Sequence, residues 1–304
     1  MKKYLLDKIK EAVHSPKKIA LYALWLIAPI LPDRLYLKAF FRLKMGYKLN
    51  LNNPQTFGEK LQWLKLYNRK NEYTRMVDKY EVKKYVADII GEEYIIPTLG
   101  VWDRVEDIDF EKLPNQFVLK CTHDSGGIVI CRDKSNLDIE VAKAKLKRGL
   151  KKNFYARNRE WPYKNVVPRI IAEEYIEIKG HKDLPDYKFY CFNGEPQYCQ
   201  VIRERSTKET IDFYDMEWNH MPFVGLNPVA QNGNEPVDKP LHLDKMASIC
   251  RKLAKDIPFS RIDLYVINDK EYFGEITFFP ASGMGVFKPS IWNKTLGDLI
   301  KLEK

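Results

Sequence analysis

FVLKCTHDSGGIVIC, residues 117–131, sets two short runs of β-branched, aliphatic and aromatic side chains on either side of a Ser-Gly-Gly corner. FVLK and IVIC read as strands and THDSGG as the turn joining them. Glycines at a hairpin tip serve the turn by themselves, and that is one reading. The other starts from Lys120, which closes the first strand beside the corner. Small residues let backbone N–H groups approach an anion, and a neighbouring ammonium adds a point charge. The spacing does not fit GxxxxGK followed by Ser or Thr, and no helical pattern follows directly, so the corner is not a P-loop.

Working outward, the 304-residue chain is long enough to bury a substantial core as one large or two modest domains. Its formal net charge of +10 favours polyanionic neighbours such as nucleotide phosphates, nucleic acid or an anionic membrane face. The densest basic block, KAKLKRGLKK at 143–152, reads as the solvated face of a helix. We expect no specific nucleic-acid partner. Five cysteines without a CxxC pair argue for reduced thiols and a cytoplasmic setting. The histidines form neither HxxxH nor HExxH, which speaks against zinc.

The segment IALYALWLIAPILP at 19–32 is apolar and follows Lys17 and Lys18. Its uncharged run of 14 residues falls short of the roughly 20 that span a bilayer. No small-residue cleavage site follows it. It reads either as a helix packed on the main domain or as an interfacial helix on the inner leaflet. Tyr22, Trp25 and Tyr36 favour the second, as side chains suited to headgroup depth. Peripheral membrane contact is therefore expected through residues 17–45.

Beyond this basic, apolar lead of residues 1–48, the organisation divides at 49–115, 116–172 and 173–304. GEKLQWLKLYNR and YTRMVDKYEVKKYVADIIG each read as one helix, the second ending at Gly91. YIIPTLGVW reads as extended, and residues 140–152 as the basic helix. From residue 169 the pattern is mostly strand, with a hairpin turn at Asn193-Gly194-Glu195 and a helix over LDKMASICRKLAKDI. Helices alternating with hairpin-linked strands indicate an α+β fold with more than one lobe.

The last strand pair, RIDLYVINDKEYFGEITFFP at 261–280, carries most of the chemistry. Arg261 and Asp263 are two apart and share a face, as do Glu275 and Thr277. If the hairpin closes at Asn268-Asp269-Lys270, Asp263 and Glu275 come close to facing each other. Two facing carboxylates repel unless a cation lies between them, and Mg²⁺ suits oxygen ligands and substrate phosphates. The alternative pairs Asp263 with Arg261 and leaves Glu275 to solvent. A phosphate cradle and a divalent-metal hairpin in one chain suggest ATP.

At this point the residues resemble a known family. A DK pair in a helix, a strand lysine before a small-residue loop, EEYI, RxDL and finally ExT…PxSG together resemble an ATP-grasp protein. More narrowly, FGEKLQWLKLYNR, FVLKCTHDSGG, DYKFYCFNGEPQ and FGEITFFPASG resemble the TupA-like ATP-grasp group of teichuronopeptide and other surface-polysaccharide biosynthesis. The resemblance covers roughly residues 33–300. It implies two α+β lobes enclosing a nucleotide cleft, with the helical N-terminal extension outside the common core.

By position, the resemblance implies that Lys79 and Lys120 contact the nucleotide and that Ser125, Gly126 and Gly127 form the phosphate loop. Glu173, Glu174 and Ile176 match the hinge beside adenine, and Asp186 the acid on the ribose hydroxyls. Lys188 is a candidate phosphate contact, with pairing to a nearby carboxylate as its alternative. Asp263 and Glu275 match the metal-binding carboxylates. Thr277 stands where many such ligases carry Asn, and its hydroxyl can still coordinate.

The implied chemistry is phosphorylation of a carboxylate by ATP with Mg²⁺, then displacement of phosphate by an amine. Arg261 and Lys120 carry the catalytic expectation, Arg261 by stabilising the acyl phosphate or the oxyanion that follows. Two other outcomes stay open on the same fold: a kinase acting on a sugar hydroxyl, and a glycosyltransferase. The acceptor is accordingly expected to be a carboxylate or sugar compound.

Overall fold

The computed structural model describes residues 16–303 apart from 125, 177–185, 204–208 and 227–229. The expected Ser125 contact lies outside the described residues.

The lead folds as two helices, α1 (Pro16–Ile27) and α2 (Asp33–Met45), with Pro29 and Pro32 between them. Leu21, Leu24 and Ala28 form the inner face and pack on Tyr36, Leu37, Phe40 and Phe41. Tyr36 is therefore core, with its hydroxyl donating to the Arg157 carbonyl at 2.7 Å. That corrects its expected place at headgroup depth. The outer face of the lead stays open, with Leu26 82% and Ile30 81% exposed. No helix among the described residues is long and apolar enough to cross a membrane.

Helix α3 (Phe57–Tyr67) starts at a reciprocal cap in which Glu59 N–H donates to Thr56 Oγ1 and Thr56 N–H to Glu59 Oε2. The stretch read as one helix over 73–91 is instead two, α4 (Glu72–Val77) and α5 (Glu81–Ile90). Asp78 causes the break. Its side chain accepts from Tyr80 N–H at 2.9 Å, an alternative to helical backbone bonding. Lys79 N–H turns away to the Thr122 carbonyl at 3.1 Å. Lys79 thus sits in a turn against the glycine corner, not on a helix face.

Strands β1 (Thr98–Trp102), β2 (Phe117–Cys121), β3 (Ile128–Cys131) and β4 (Ile170–Glu174) form an antiparallel sheet in the order β1-β4-β2-β3. Between β3 and β4 the chain forms α6 (Ile139–Leu150) and the short α7 (Phe154–Asn158). Leu146 and Ala142 of α6 cover Phe117, Leu119 and Cys121, closing a small core of their own. Lys147 at the other side of α6 pairs with Glu106 at the surface, so the basic run is a solvated face.

The second sheet is larger: β5 (Asp186–Phe192), β6 (Glu195–Arg203), β7 (Thr210–Asp215), β8 (Phe259–Ile267) and β9 (Lys270–Thr277). Its order is β9-β8-β5-β6-β7, antiparallel throughout. Asn193 and Gly194, both with positive φ, make the two-residue turn between β5 and β6. Helix α8 (Leu243–Leu253) and helices α3 to α5 bury their apolar faces against this sheet. The two sheets build the α+β architecture.

Candidate functional site

A cavity of about 370 Å³ opens between the two sheets. Lys120 and Glu173 reach it from the first, Lys188, Asp263 and Glu275 from the second, and Lys79 and Lys83 from the helical segment between.

The carboxylate pair owes its geometry to one extra residue. The last hairpin turns on Asn268 and Asp269 alone, at φ 50 and 58, and Lys270 already pairs with Ile267. A regular ladder would then set Gly274 opposite Asp263. Instead the register slips between Phe273 and Glu275, and Glu275 stands opposite Asp263. Gly274 allows this, because a Cβ there would meet the Asp263 carbonyl and the Tyr265 ring, each at 3.0 Å. Across three neighbouring strands, Lys188, Asp263 and Glu275 form one row.

Arg261 binds both acids. Its Nε donates to Asp263 Oδ1 at 2.6 Å, and its Nη2 to Asp263 Oδ2 at 2.7 Å and Glu275 Oε1 at 2.8 Å. Thr277 Oγ1 joins this cluster, donating to Glu275 Oε1 at 3.2 Å. The expected alternatives therefore merge: Asp263 does pair with Arg261, and Glu275 shares that arginine while opening to the cavity. Burial raises the Asp263 carboxyl to about 6 against the pull of Arg261 and Lys188. Burial also acts to raise Glu275, but Arg261, Lys188 and Lys79 outweigh it and bring it to about 2. Environment has driven two facing acids apart, as adjacent like charges require.

Lys188 pairs with Asp186 at 2.8 Å and with Asp263. Glu173 is buried between Lys120 and Lys83, the latter at 2.8 Å, so it orients two ammonium groups toward the cavity. Lys83 was not singled out in the sequence, although it lies four residues after Lys79 on the same segment. Burial lowers the pKa of both Lys79 and Lys83.

In the glycine corner, Lys79 Nζ donates to the Asp124 carbonyl, and Gly127 N–H to Asp124 Oδ1 at 3.1 Å. Gly126 lines the cavity at φ +112, a backbone conformation glycine adopts freely. Gly127 is buried and does not line the cavity. His123 Nε2 lies 3.1 Å from the Lys152 carbonyl oxygen and serves the loop.

Val82, Ile95, Ile96, Ile128, Ile202 and Phe273 give one part of the cavity an apolar lining that sequence reading had missed, since these side chains come from five separate elements. Glu174 and Ile176 lie outside the cavity wall, and Glu174 N–H is engaged by the Pro97 carbonyl at 3.1 Å. Among the described residues no group of three or more His, Cys, Asp or Glu side chains could hold a metal ion. The Asp263, Glu275 and Thr277 oxygens are donors of the kind a hard cation takes, and Arg261 Nη2 stands among them at 2.7, 2.8 and 3.1 Å, where such a cation would lie.

The profile of the TupA-like ATPgrasp family matches residues 59–301. The chain belongs to this family. In the TupA-like ATP-grasp protein described here, the match begins inside α3, so the helical lead precedes it. A search among curated proteins returns no match. Among solved structures, the D-alanine–D-alanine ligase of Bacillus anthracis complexed with ATP is 20% identical at a TM-score of 0.41, over 74% of this chain and 63% of that one. The D-alanine–D-alanine ligase of Helicobacter pylori is 13% identical at 0.39, over 82% and 70%. The D-cycloserine synthetase DcsG is 13% identical at 0.40, over 75% and 71%. The chain spans just under two thirds of the Bacillus anthracis ligase structures, 63% and 66%.

Proposed function

We propose that the protein is an ATP-dependent carboxylate–amine ligase that modifies a cell-surface polysaccharide or its lipid-linked precursor. The observation that carries this reading is the single cavity joining an apolar slot, four lysines and the Asp263–Glu275 pair. Those parts match adenine, phosphates and a divalent metal in turn.

In this reading the apolar slot takes the base, and Asp186 stands at the ribose. Lys79, Lys83 and Lys120, aligned by Glu173, face the phosphates, and Lys188 holds Asp263 in place. Asp263, Glu275 and Thr277 would hold Mg²⁺, which supplies charge neutralisation on the phosphates. A substrate carboxylate oxygen attacks the γ-phosphorus, the bond to the β-phosphate oxygen breaks, and ADP leaves. An amine then attacks the acyl carbon, phosphate departs with the bonding pair, and an amide forms. Arg261 secures the acids and offsets negative charge as it develops. The glycine corner, folded over the cavity, keeps water from the acyl phosphate.

The setting proposed is cytoplasmic, with the lead resting on an anionic leaflet. The outer faces of α1 and its following turn supply Ile19, Tyr22, Leu26 and Ile30, and exposed Lys17, Lys18, Arg34 and Lys38 surround them.

Thermal-shift measurements with ATP, ADP and nucleotide sugars, with and without Mg²⁺, test the reading. ATP with Mg²⁺ is expected to raise the melting temperature most. Turnover should release ADP and free phosphate. AMP would exclude this chemistry, phosphate retained on the product would indicate a kinase, and a response to nucleotide sugars alone would indicate glycosyl transfer.

A further inference from the structure

A second cavity, of about 480 Å³, adjoins the glycine corner and is walled by the helical lead, α7 and the turn after β9. Its link to the corner is Lys152, whose ammonium pairs with Asp124 at 2.8 Å. Its link to the carboxylate hairpin is Ser282, which follows Thr277 in the same passage of chain.

The charge on this wall is one-sided. Lys44, Lys152 and Arg157 line it, and no acid does. Asp124 answers Lys152, but Lys44 and Arg157 have no carboxylate partner among the described residues. Burial pushes the Lys44 ammonium down, and Arg157 and Lys17 push it further. Arg157 is held in place by stacking over Trp25 at 4.8 Å. Cations assembled without a counter-charge are a standing cost that a bound anion relieves.

The opposite wall is strained and clamped. Ala281, Ser282 and Gly283 are left-handed in succession, at φ 47, 56 and 64. Two of these are not glycine, and such runs persist only where surrounding structure imposes them. Here buried Lys65 donates to the Ser282 carbonyl and to Ser282 Oγ, both at 2.9 Å, and buried Gln62 to the Ser282 and Gly283 carbonyls. The PxSG motif is thus a shaped wall. Nothing in the nucleotide cavity requires it.

Given the nucleotide reading of the first cavity, on which this rests, we infer that the second cavity seats the other substrate. That substrate carries an oxyanion, a carboxylate or phosphate, held by Lys44 and Arg157. Its less polar body lies against Phe40, Phe154 and Met284.

The test uses the full chain with Mg²⁺ and a saturating non-hydrolysable ATP analogue, so that the first cavity is filled. Calorimetric titrations compare D-glucuronate, D-glucose 6-phosphate and neutral D-glucose. At least one anionic sugar should bind tenfold or more tightly than glucose, and which one binds distinguishes carboxylate from phosphate. Lys44→Ala combined with Arg157→Gln should weaken it at least tenfold while leaving affinity for the analogue unchanged. Arg157→Glu should do the same, and both side chains are exposed enough to be replaced without unfolding. Equal binding of charged and neutral sugars, or unchanged affinity in the variants, overturns the assignment and leaves the nucleotide reading standing. Failure of the analogue itself to bind overturns the nucleotide reading and this inference together.

Discussion

Asp263 on β8 stands directly opposite Glu275 on β9, and one nitrogen of Arg261 reaches both. The two acids nevertheless differ in setting. Asp263 is 2% exposed and boxed in by Arg261 and Lys188, whereas Glu275 is 45% exposed and opens to the cavity.

That difference separates two effects of mutation. Asp263→Asn sets an amide NH2 against the buried donors of Arg261 and Lys188, whose charges Glu275 and Asp186 still answer, at a cost of about 1–3 kcal/mol in stability. Glu275→Gln should cost less, because solvent screens the half-exposed Glu275 in its pairing with Arg261. Both should lower Mg²⁺-dependent turnover by on the order of a hundredfold or more. Urea denaturation alongside a phosphate-release assay checks this, and equal stability of the two variants would contradict it.

Gly274 sets the register of the pair. In Gly274→Val the added side chain meets the Asp263 carbonyl and the Tyr265 ring. The bulge should give way, so that Mg²⁺-dependent nucleotide binding falls tenfold or more. Gly126→Ala provides the comparison, because a Cβ there meets nothing within 4 Å and only its positive φ opposes it. Nucleotide affinity in Gly274→Val equal to that of the parent would show that the slip in register is not what seats the acids.

Lys65 gives a pH signature. Burial pulls its ammonium down from the ordinary 10.5 to about 8. Between those values the unfolded chain binds the proton more readily than the folded one, so this group favours folding increasingly as pH rises from about 8 to 10.5. The unfolding free energy of the parent relative to Lys65→Met should therefore increase over that window. A flat or falling difference would mean that the buried amine keeps its ordinary pKa.

The outer face of the lead predicts vesicle binding. The protein should sediment with vesicles containing phosphatidylglycerol, less so as salt rises, and hardly with pure phosphatidylcholine. Leu26→Glu with Ile30→Glu removes two side chains whose burial contributes roughly 1.5 kcal/mol or more each. Membrane affinity should fall at least tenfold with the melting temperature unchanged, since both side chains point away from the core. Undiminished binding by that variant would remove the face from any role at the membrane.

Much of this molecule was determined by sequence alone, because the signals are local. Runs of β-branched and aromatic side chains mark β2, β3 and β5 to β9, the Asn-Gly pair closes its hairpin, and the order of motifs from Lys120 to Glu275 names the family. Even the facing of Asp263 and Glu275 was legible, though by a different route. The extra residue was read into the turn at Asn268-Asp269-Lys270, whereas the structure puts it in the bulge at Gly274. Turn and bulge shift the register equally, and local pattern does not tell them apart.

What only the tertiary structure decided depends on groups far apart in the chain. Lys188 meets Asp263 across 75 positions, Glu173 collects both Lys120 and Lys83, and the apolar slot draws on five separate elements. The break at Asp78 was hidden because Asp is tolerated in a helix unless a neighbour, here the Thr122 carbonyl, takes the next N–H. Tyr36 looked interfacial until Arg157 supplied a partner from 121 positions away. Periodicity tells a residue which way to face along its own element. Which charge or ring waits on that side is settled only when sheets and helices pack.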